Sequence, residues 1–183
     1  MEKMVGQRIK RKEDPKLITG NALYLDDMKI PGLLHASILR SPYPHANIIS
    51  VNKEKAVEHP GVIAVYTGKD LEGKLNPVPT SWKVPGMNLI ETEQYPLAIN
   101  TARYVRDGVA MVVAESKYIA EDALELIDVE YEVLPSISNQ KDARKDDAPQ
   151  IYEEVPKNVA FKYVAGEVTN EDLNSAEVLM KGT

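Results

Sequence analysis

The chain has 183 residues, 43% hydrophobic and 27% charged, with a net charge of −6 and no cysteine. That is enough chain for one domain with a real core, or for one domain and a tail. The acidic balance argues against nucleic acid as a partner, and without cysteine there is neither a disulfide nor a thiolate for zinc or an iron–sulfur cluster. No apolar run approaches the ~20 residues of a membrane span. No apolar stretch follows the basic Met1–Lys12 segment, which is therefore not read as a secretory signal, and the cytoplasm is the expected location.

Met1 to Lys16 is polar and reads as a solvated tail or an arm lying on another surface. Asp14-Pro15 is a helix-start signal, with Asp14 as N-cap and Pro15 at the first helical position, and Gly20 closes a single turn. Ala22 to Leu25 reads as a short strand, Asp26-Asp27 as the start of a loop, and Pro31-Gly32 as its closing turn. Leu33 to Leu39 alternates large apolar with small or polar residues, as a half-buried strand does. The Arg40-Ser41-Pro42-Tyr43-Pro44-His45 segment stops it, because two prolines remove two backbone donors and hold their predecessors extended. Ala46 to Val51 is a second strand, Lys53 to His59 a short helical turn, and Val62 to Tyr66 a third strand after Pro60-Gly61.

Beyond a helical turn over Lys69 to Gly73, residues Leu75 to Tyr95 carry Pro77, Pro79, Pro85 and the only tryptophan, Trp82. No period survives there, so a long loop is expected. Its apolar side chains, Trp82, Met87, Leu89 and Ile90, suit docking on a surface, either the domain's own flank or another domain. Pro96–Ile99 and Ala102–Val105 read as short extended pieces. The VAMVVA run, Val109 to Ala114, suits a strand buried on both faces. Ser116 caps a helix over Lys117 to Ile127, and Val129 to Leu134 alternates as a strand. Ser136 to Gln150 is polar, with a short helix around Lys141 to Arg144; Asn158 to Val164 is an extended piece, and Leu179 to Thr183 a chain in passage. Strand–helix–strand thus occurs twice, over Ala46–Tyr66 and Val109–Leu134. The class expected is α+β with a mixed sheet.

Chemical motifs are sparse. His35, His45 and His59 have no metal-ligand spacing, and a structural role suits them better. Ser41 with His45 invites a nucleophile–base reading, but no nucleophile elbow or third group supports it. Arg40 suits a backbone carbonyl or a carboxylate, and His45 a hydrogen bond that fixes the turn. The acidic pairs Asp26-Asp27, Asp146-Asp147 and Glu153-Glu154 fit solvated loops better than a cation site. Asp107-Gly108 precedes a strand, the wrong geometry for a phosphate cradle. No catalytic, cofactor-binding or metal residue is assigned.

The order of short motifs does carry a resemblance. Leu34-His35-Ala36, Arg40-Ser41-Pro42, His45-Ala46 and Pro60-Gly61-Val62 resemble the start of the large, molybdenum-binding subunit of the xanthine dehydrogenase, aldehyde oxidase and carbon monoxide dehydrogenase family. The likeness continues upstream through Arg11, Asp14, Leu17, Thr19-Gly20, Ala22, Tyr24 and Asp26-Asp27. Downstream it runs through Val109-Ala110, Val112 to Glu115, Ala120, Asp122-Ala123, Val129 to Tyr131 and Leu134-Pro135. It ends with Asn158, Gly166-Glu167-Val168 and Ala176-Glu177-Val178. The family usually has glycine where this chain has Arg106 and proline where it has Gly108.

The resemblance implies an α/β-hammerhead domain over 21–135, an N-terminal arm over 1–20, and a polar linker over 136–183 leading toward a molybdenum-binding domain. It implies the N-terminal structural part of an oxidoreductase acting on an aldehyde, a purine or carbon monoxide, with water as oxygen source. In the family, the glycine-rich pterin loops, a glutamine near molybdenum and a glutamate base lie C-terminal to the region matched. This chain is therefore expected to bind no cofactor and to be non-catalytic alone. The full subunit would hold a molybdopterin-type cofactor, with [2Fe-2S] and FAD on partner domains or subunits. The expected partners are the molybdenum-binding domain and the iron–sulfur and flavin subunits, not nucleic acid or membrane. The alternative is a free-standing, non-catalytic binding or assembly module of the same fold.

Overall fold

The computed structural model describes residues 5–82, 84–163 and, beyond these, 166, 169, 171, 173, 175, 177, 178 and 180. The reading of Leu179–Thr183 therefore falls, except for Met180, outside the described residues. The chain divides into two compact units, Met1–Leu34 and His35–Thr183.

The first unit holds one short helix, α1 (Asp14–Ile18), and a 3-10 turn, Leu25–Asp27. Pro15 stands in the first turn as expected, but Asp14 is not the N-cap; Glu13 occupies that position and makes no side-chain cap bond. The Asp14 carboxylate instead accepts the Arg11 backbone N–H at 3.1 Å. Gly20 follows the helix in the left-handed conformation, φ +69°, which glycine adopts without a Cβ penalty. The strand expected at Ala22–Leu25 is absent. A strand needs a partner for its backbone groups, and here Asp27 takes the Tyr24 N–H at 3.0 Å to form a turn. Among the described residues of this unit none is buried, and Ile18, Leu23, Tyr24 and Leu25 stand mostly exposed.

The second unit is built from two three-stranded sheets. One has the order β1 (His35–Arg40), β5 (Gly108–Ala114), β3 (Val62–Thr67); the other has β4 (Thr101–Ala102), β2 (Ala46–Asn52), β6 (Asp128–Val133). Two very short helices, α2 (Glu54–Val57) and α3 (Gly68–Leu71), precede the one longer helix, α4 (Lys117–Leu124). Every strand pair is antiparallel. The α+β class holds, but among the described residues the parallel pairing expected of a mixed sheet does not occur. Both strand–helix–strand units change sheets instead: β2–α2–β3 passes from the second sheet to the first, and β5–α4–β6 passes back. The first connection is too short for a parallel crossover within one sheet, which takes about a dozen residues.

The core lies where α2 and α4 cover one face of the first sheet. It is rich in alanine: Ala56, Ala110, Ala114, Ala120 and Ala123 pack with Val65, Val112 and Ile127. Small side chains let the helix backbones approach the sheet closely. Ser116 caps α4 as expected, its Oγ accepting the Ile119 N–H at 3.2 Å. The helix stops at Leu124, short of Ile127, because its last turn tightens: Leu126 and Ile127 donate to the carbonyls three residues back. The VAMVVA strand is fully buried on the helix-facing side at Ala110, Val112 and Ala114, while Met111 and Val113 on the other side are only half-buried.

Two bulges explain two misplaced isoleucines. The register slips between Ile48 and Ser50 and between Val62 and Ala64, so Ile49 and Ile63 are the extra residues. Both are turned outward, 57% and 56% exposed. A bulge leaves its extra residue unpaired and re-aims its side chain, which alternation along the sequence does not reveal.

Candidate functional site

The proline corner after β1 brings together the residues that the sequence singled out, and spends them on structure. The Ser41 N–H donates to Asp107 O at 2.8 Å, and the Arg106 N–H donates to Ser41 O at 2.8 Å. The buried Ser41 hydroxyl donates to Tyr43 O at 3.0 Å and accepts the Tyr43 N–H at 3.1 Å. A hydroxyl so committed is no nucleophile. Arg40 Nη1 donates to Arg106 O at 3.0 Å, the backbone role expected of it. His45 lies 2.8 Å from Pro135 O through Nδ1. A carbonyl only accepts, so Nδ1 carries the proton. The Leu134 N–H returns to His45 O at 2.9 Å, so His45 fastens the start of β2 to the end of β6, 90 residues away, rather than only its own turn.

Arg106 has φ +74°. That left-handed position, where glycine would be free of strain, costs a side-chain-bearing residue about 1–2 kcal/mol. Gly108 is tight for a different reason. A Cβ there would come within 2.9 Å of Pro96 O.

The other candidates stay apart. His59 Nδ1 turns to Pro60 O at 3.1 Å, and His35 lies half-buried in β1. Asp146 pairs with Lys157 at 2.6 Å. Among the described residues no group of three or more His, Cys, Asp and Glu is placed to hold a metal ion. No described helix is long and apolar enough to cross a membrane.

One buried-edge ion pair went unread in the sequence. The Lys53 ammonium donates to Val65 O at 3.1 Å and forms a short contact with the Asp70 carboxylate. Asp70 Oδ2 also accepts the Thr67 N–H at 2.7 Å and the Thr67 hydroxyl at 2.8 Å, which closes the N-terminus of α3. Burial works to raise the Asp70 pKa, but the hydrogen bonds from Lys53 and Thr67 and the Lys53 charge outweigh it and hold the carboxyl below the usual range. A depressed carboxyl stabilises the fold above its unfolded pKa of about 3.9, and the contribution is lost as pH falls through the lower folded value. Asp70→Ala is therefore expected to cost about 1 kcal/mol at pH 7. Urea melts of the two proteins should converge as pH is lowered below about 4; a gap that stays constant to pH 3 would contradict the pair.

An open cavity of about 470 Å³ lies beside Arg103 and Tyr152. Glu72, Glu93, Glu154, Tyr95, Tyr104 and Tyr152 contribute to its lining. Its one cationic side chain, Arg103, is already engaged: the guanidinium lies 4.5 Å from the centre of the Tyr152 ring, and Nε donates to Ile151 O at 3.2 Å. The cavity is therefore electronegative. Desolvation first, then the charges of Glu93 and Glu72, push the Tyr95 hydroxyl above its ordinary pKa. The Tyr152 wall is set by Asn158, whose Nδ2 donates to Ala143 O and Pro149 O at 3.0 and 2.9 Å while its Oδ1 accepts the Ile151 N–H at 3.0 Å. Arg103 and Tyr152 are too far apart in sequence to suggest the clasp. Asn158, part of the family-like pattern, was the available signal.

The long loop forms the second concavity. Trp82 meets Phe161 edge-on at 5.6 Å between ring centres, and the Ile90 N–H donates to Ala160 O at 2.8 Å. An open groove of about 850 Å³ runs between residues 85–90 and 159–163. The loop thus lies on its own chain at Phe161, yet Trp82 keeps 53% of its surface exposed.

Two three-stranded antiparallel sheets linked through two short helical connections define a small α+β domain. Residues 19–135 match the family described as "Aldehyde oxidase and xanthine dehydrogenase, a/b hammerhead domain". The chain belongs to that family. It is 39% identical over 145 residues to the carbon monoxide dehydrogenase large chain of Hydrogenophaga pseudoflava, covering 79% of this chain and 17% of that one. It is 35% identical over 138 residues to the xanthine dehydrogenase molybdenum-binding subunit of Escherichia coli O157:H7, covering 74% and 18%. The aldehyde oxidoreductase of Desulfovibrio gigas superposes with a TM-score of 0.73 at 30% identity, covering 92% of this chain and 19% of that one. The chain thus spans less than a fifth of the length of these relatives.

Proposed function

We propose that this chain is the N-terminal structural domain of a molybdenum hydroxylase large subunit. The observation that carries the reading is the hammerhead match over residues 19–135, together with matched stretches that make up less than a fifth of the relatives' length. The subunit oxidises an aldehyde, a purine or carbon monoxide with water as oxygen source. Electrons leave through [2Fe-2S] clusters and FAD on partner domains or subunits. The domain packs against the cofactor-bearing domain, and residues 136–183 lead toward it.

The residues described here do not fit the molybdenum cofactor itself. Their donor set lacks cysteine, and the cavity beside Arg103 presents glutamates, which repel an anionic, phosphate-bearing pterin. The chain's task is therefore support, with no step of the reaction on its own side chains. The half-exposed Trp82 and the groove beside it supply docking surface: burying Trp82 and Leu89 contributes roughly 1.5–3 kcal/mol each.

Metal analysis of the purified chain is expected to find no stoichiometric molybdenum, and an aldehyde assay no turnover. One molybdenum per chain in the isolated protein would overturn the scaffold reading.

A further inference from the structure

The first sheet has a second face that neither helix covers. Antiparallel partners directly opposite each other point to the same side of a sheet. The register pairs Ile38 with Met111, Ala36 with Val113, Tyr66 with Met111 and Ala64 with Val113. These six residues therefore share the face opposite the alanine-rich core. Ile38 and Tyr66 at its edges are 37% and 40% exposed, and Met111 and Val113 at its centre are partly exposed. Leu97 and Ile38 both flank Gly108 at one end of this face. The bulged Ile63 extends the apolar surface along β3. A central strand apolar on both sides belongs to a sheet packed on both sides; here the second side is packed at its Val109 end, where Val109 is fully buried, and from Met111 to Val113 it is only partly covered.

We infer that this face is the seat of the polypeptide that makes up the remaining four-fifths of the large subunit. The inference rests on the reading above and adds which surface of the domain is used. Three features choose this occupant. Relatives carry more than four-fifths of their length outside the matched region, so a large body of chain is available to pack. At normal strand spacing and rise, three strands five residues long offer only about 250 Å². That is well under the roughly 800 Å² per partner of a free-standing association, so a second copy would not be held by it. A covalently continuous domain needs far less area, because the linkage supplies the effective concentration. The face also lacks the cationic rim that an anionic membrane selects: Arg40, at the end of β1, is tied to Arg106 O, and the chain is net negative.

The test compares the isolated chain with a chimera in which it replaces the matched 145-residue segment of the Hydrogenophaga pseudoflava large chain. Hydroxyl-radical footprinting reads Tyr66 and Met111, and hydrogen exchange reads residues 84–90. In the isolated chain Tyr66 and Met111 should be readily oxidised. In the chimera both should be protected about tenfold, and the 84–90 amides should slow as well. Protection of 84–90 with Tyr66 and Met111 still reactive would overturn the sheet-face assignment and leave the domain reading standing. No protection at either place would overturn both. Should the chimera not fold, the isolated chain still decides. Ile38→Ser and Tyr66→Ser should each leave its melting temperature within about 2 °C and its sedimentation that of a monomer. A loss of 8 °C or more would mean that the chain covers this face itself, and a dimer dissolved by either change would mean that a second copy does. Either result overturns the inference.

Discussion

Replacing Val112 by aspartate is expected to unfold the domain. Val112 has no exposed surface and lies at the centre of the middle strand of the first sheet, facing Ala120 and Ala123 of α4. The packed, alanine-lined space around it offers a carboxylate neither water nor a cationic partner. Losing the valine removes about 1.5–3 kcal/mol of burial. An unpaired buried carboxylate adds several more, even if it stays protonated. The total is comparable with a whole domain's stability of ~5–15 kcal/mol. Circular dichroism should show no cooperative melt in Val112→Asp. The neighbouring Met111→Asp should cost clearly less, because Met111 is only partly buried. Equal losses in the two variants, or an unchanged melt in Val112→Asp, would refute the division of this strand into a packed and an open face.

A second large effect is expected from the smallest possible addition. Gly68 begins α3, and a Cβ built there would lie 2.1 Å from Ala98 O, 2.6 Å from Ala98 C and 2.8 Å from Ile99 Cα. All three are backbone atoms, so no side chain can swing away. Nor can the 98–100 segment retreat, since the Ala98 N–H donates to Gly108 O at 2.7 Å and Asn100 O accepts the Ile48 N–H at 2.8 Å. Those two bonds tie it to one sheet on each side. Gly68→Ala must therefore break one of these ties or shift α3, at a cost near the top of the overpacking range, about 3 kcal/mol. Gly73→Ala is the control. Gly73 has positive φ but open space around its missing Cβ, so only the conformational strain of about 1–2 kcal/mol is expected. Denaturant midpoints of the two variants would measure the difference. A Gly68→Ala protein no less stable than Gly73→Ala would mean that the close approach does not exist in solution.

The contrast between these two glycines shows where sequence reading stops. Both look like turn residues in the chain. Gly73 needs its freedom for a local reason, a left-handed backbone, and such reasons are written within a few residues. Gly68 needs its lack of a side chain because a segment 30 residues later crosses it. The same boundary separates the elements. Alternation located β1 and β6, a continuous apolar run located β5, the turn residues around them bracketed β2 and β3, and Ser116 located α4, because such patterns and caps act over single turns. The ordered short motifs also carried the family. Ala22 to Leu25 alternates well enough but is no strand, since no neighbour takes up its hydrogen bonds.

The sequence by itself determined the α+β class, the membership in the family and the absence of cysteine ligands. In the proline corner His45, Ser41 and Arg40 each bond a backbone carbonyl. Only the tertiary structure decided which sheet each strand joins, that all pairing is antiparallel, and that Ile49 and Ile63 face outward from bulges. It also decided that Arg103 settles on Tyr152 to leave an electronegative cavity. These are long-range matters. Sheet membership depends on which distant backbone satisfies a strand's hydrogen bonds, and a one-residue slip in that pairing reverses every side chain after it, with no trace in the local pattern.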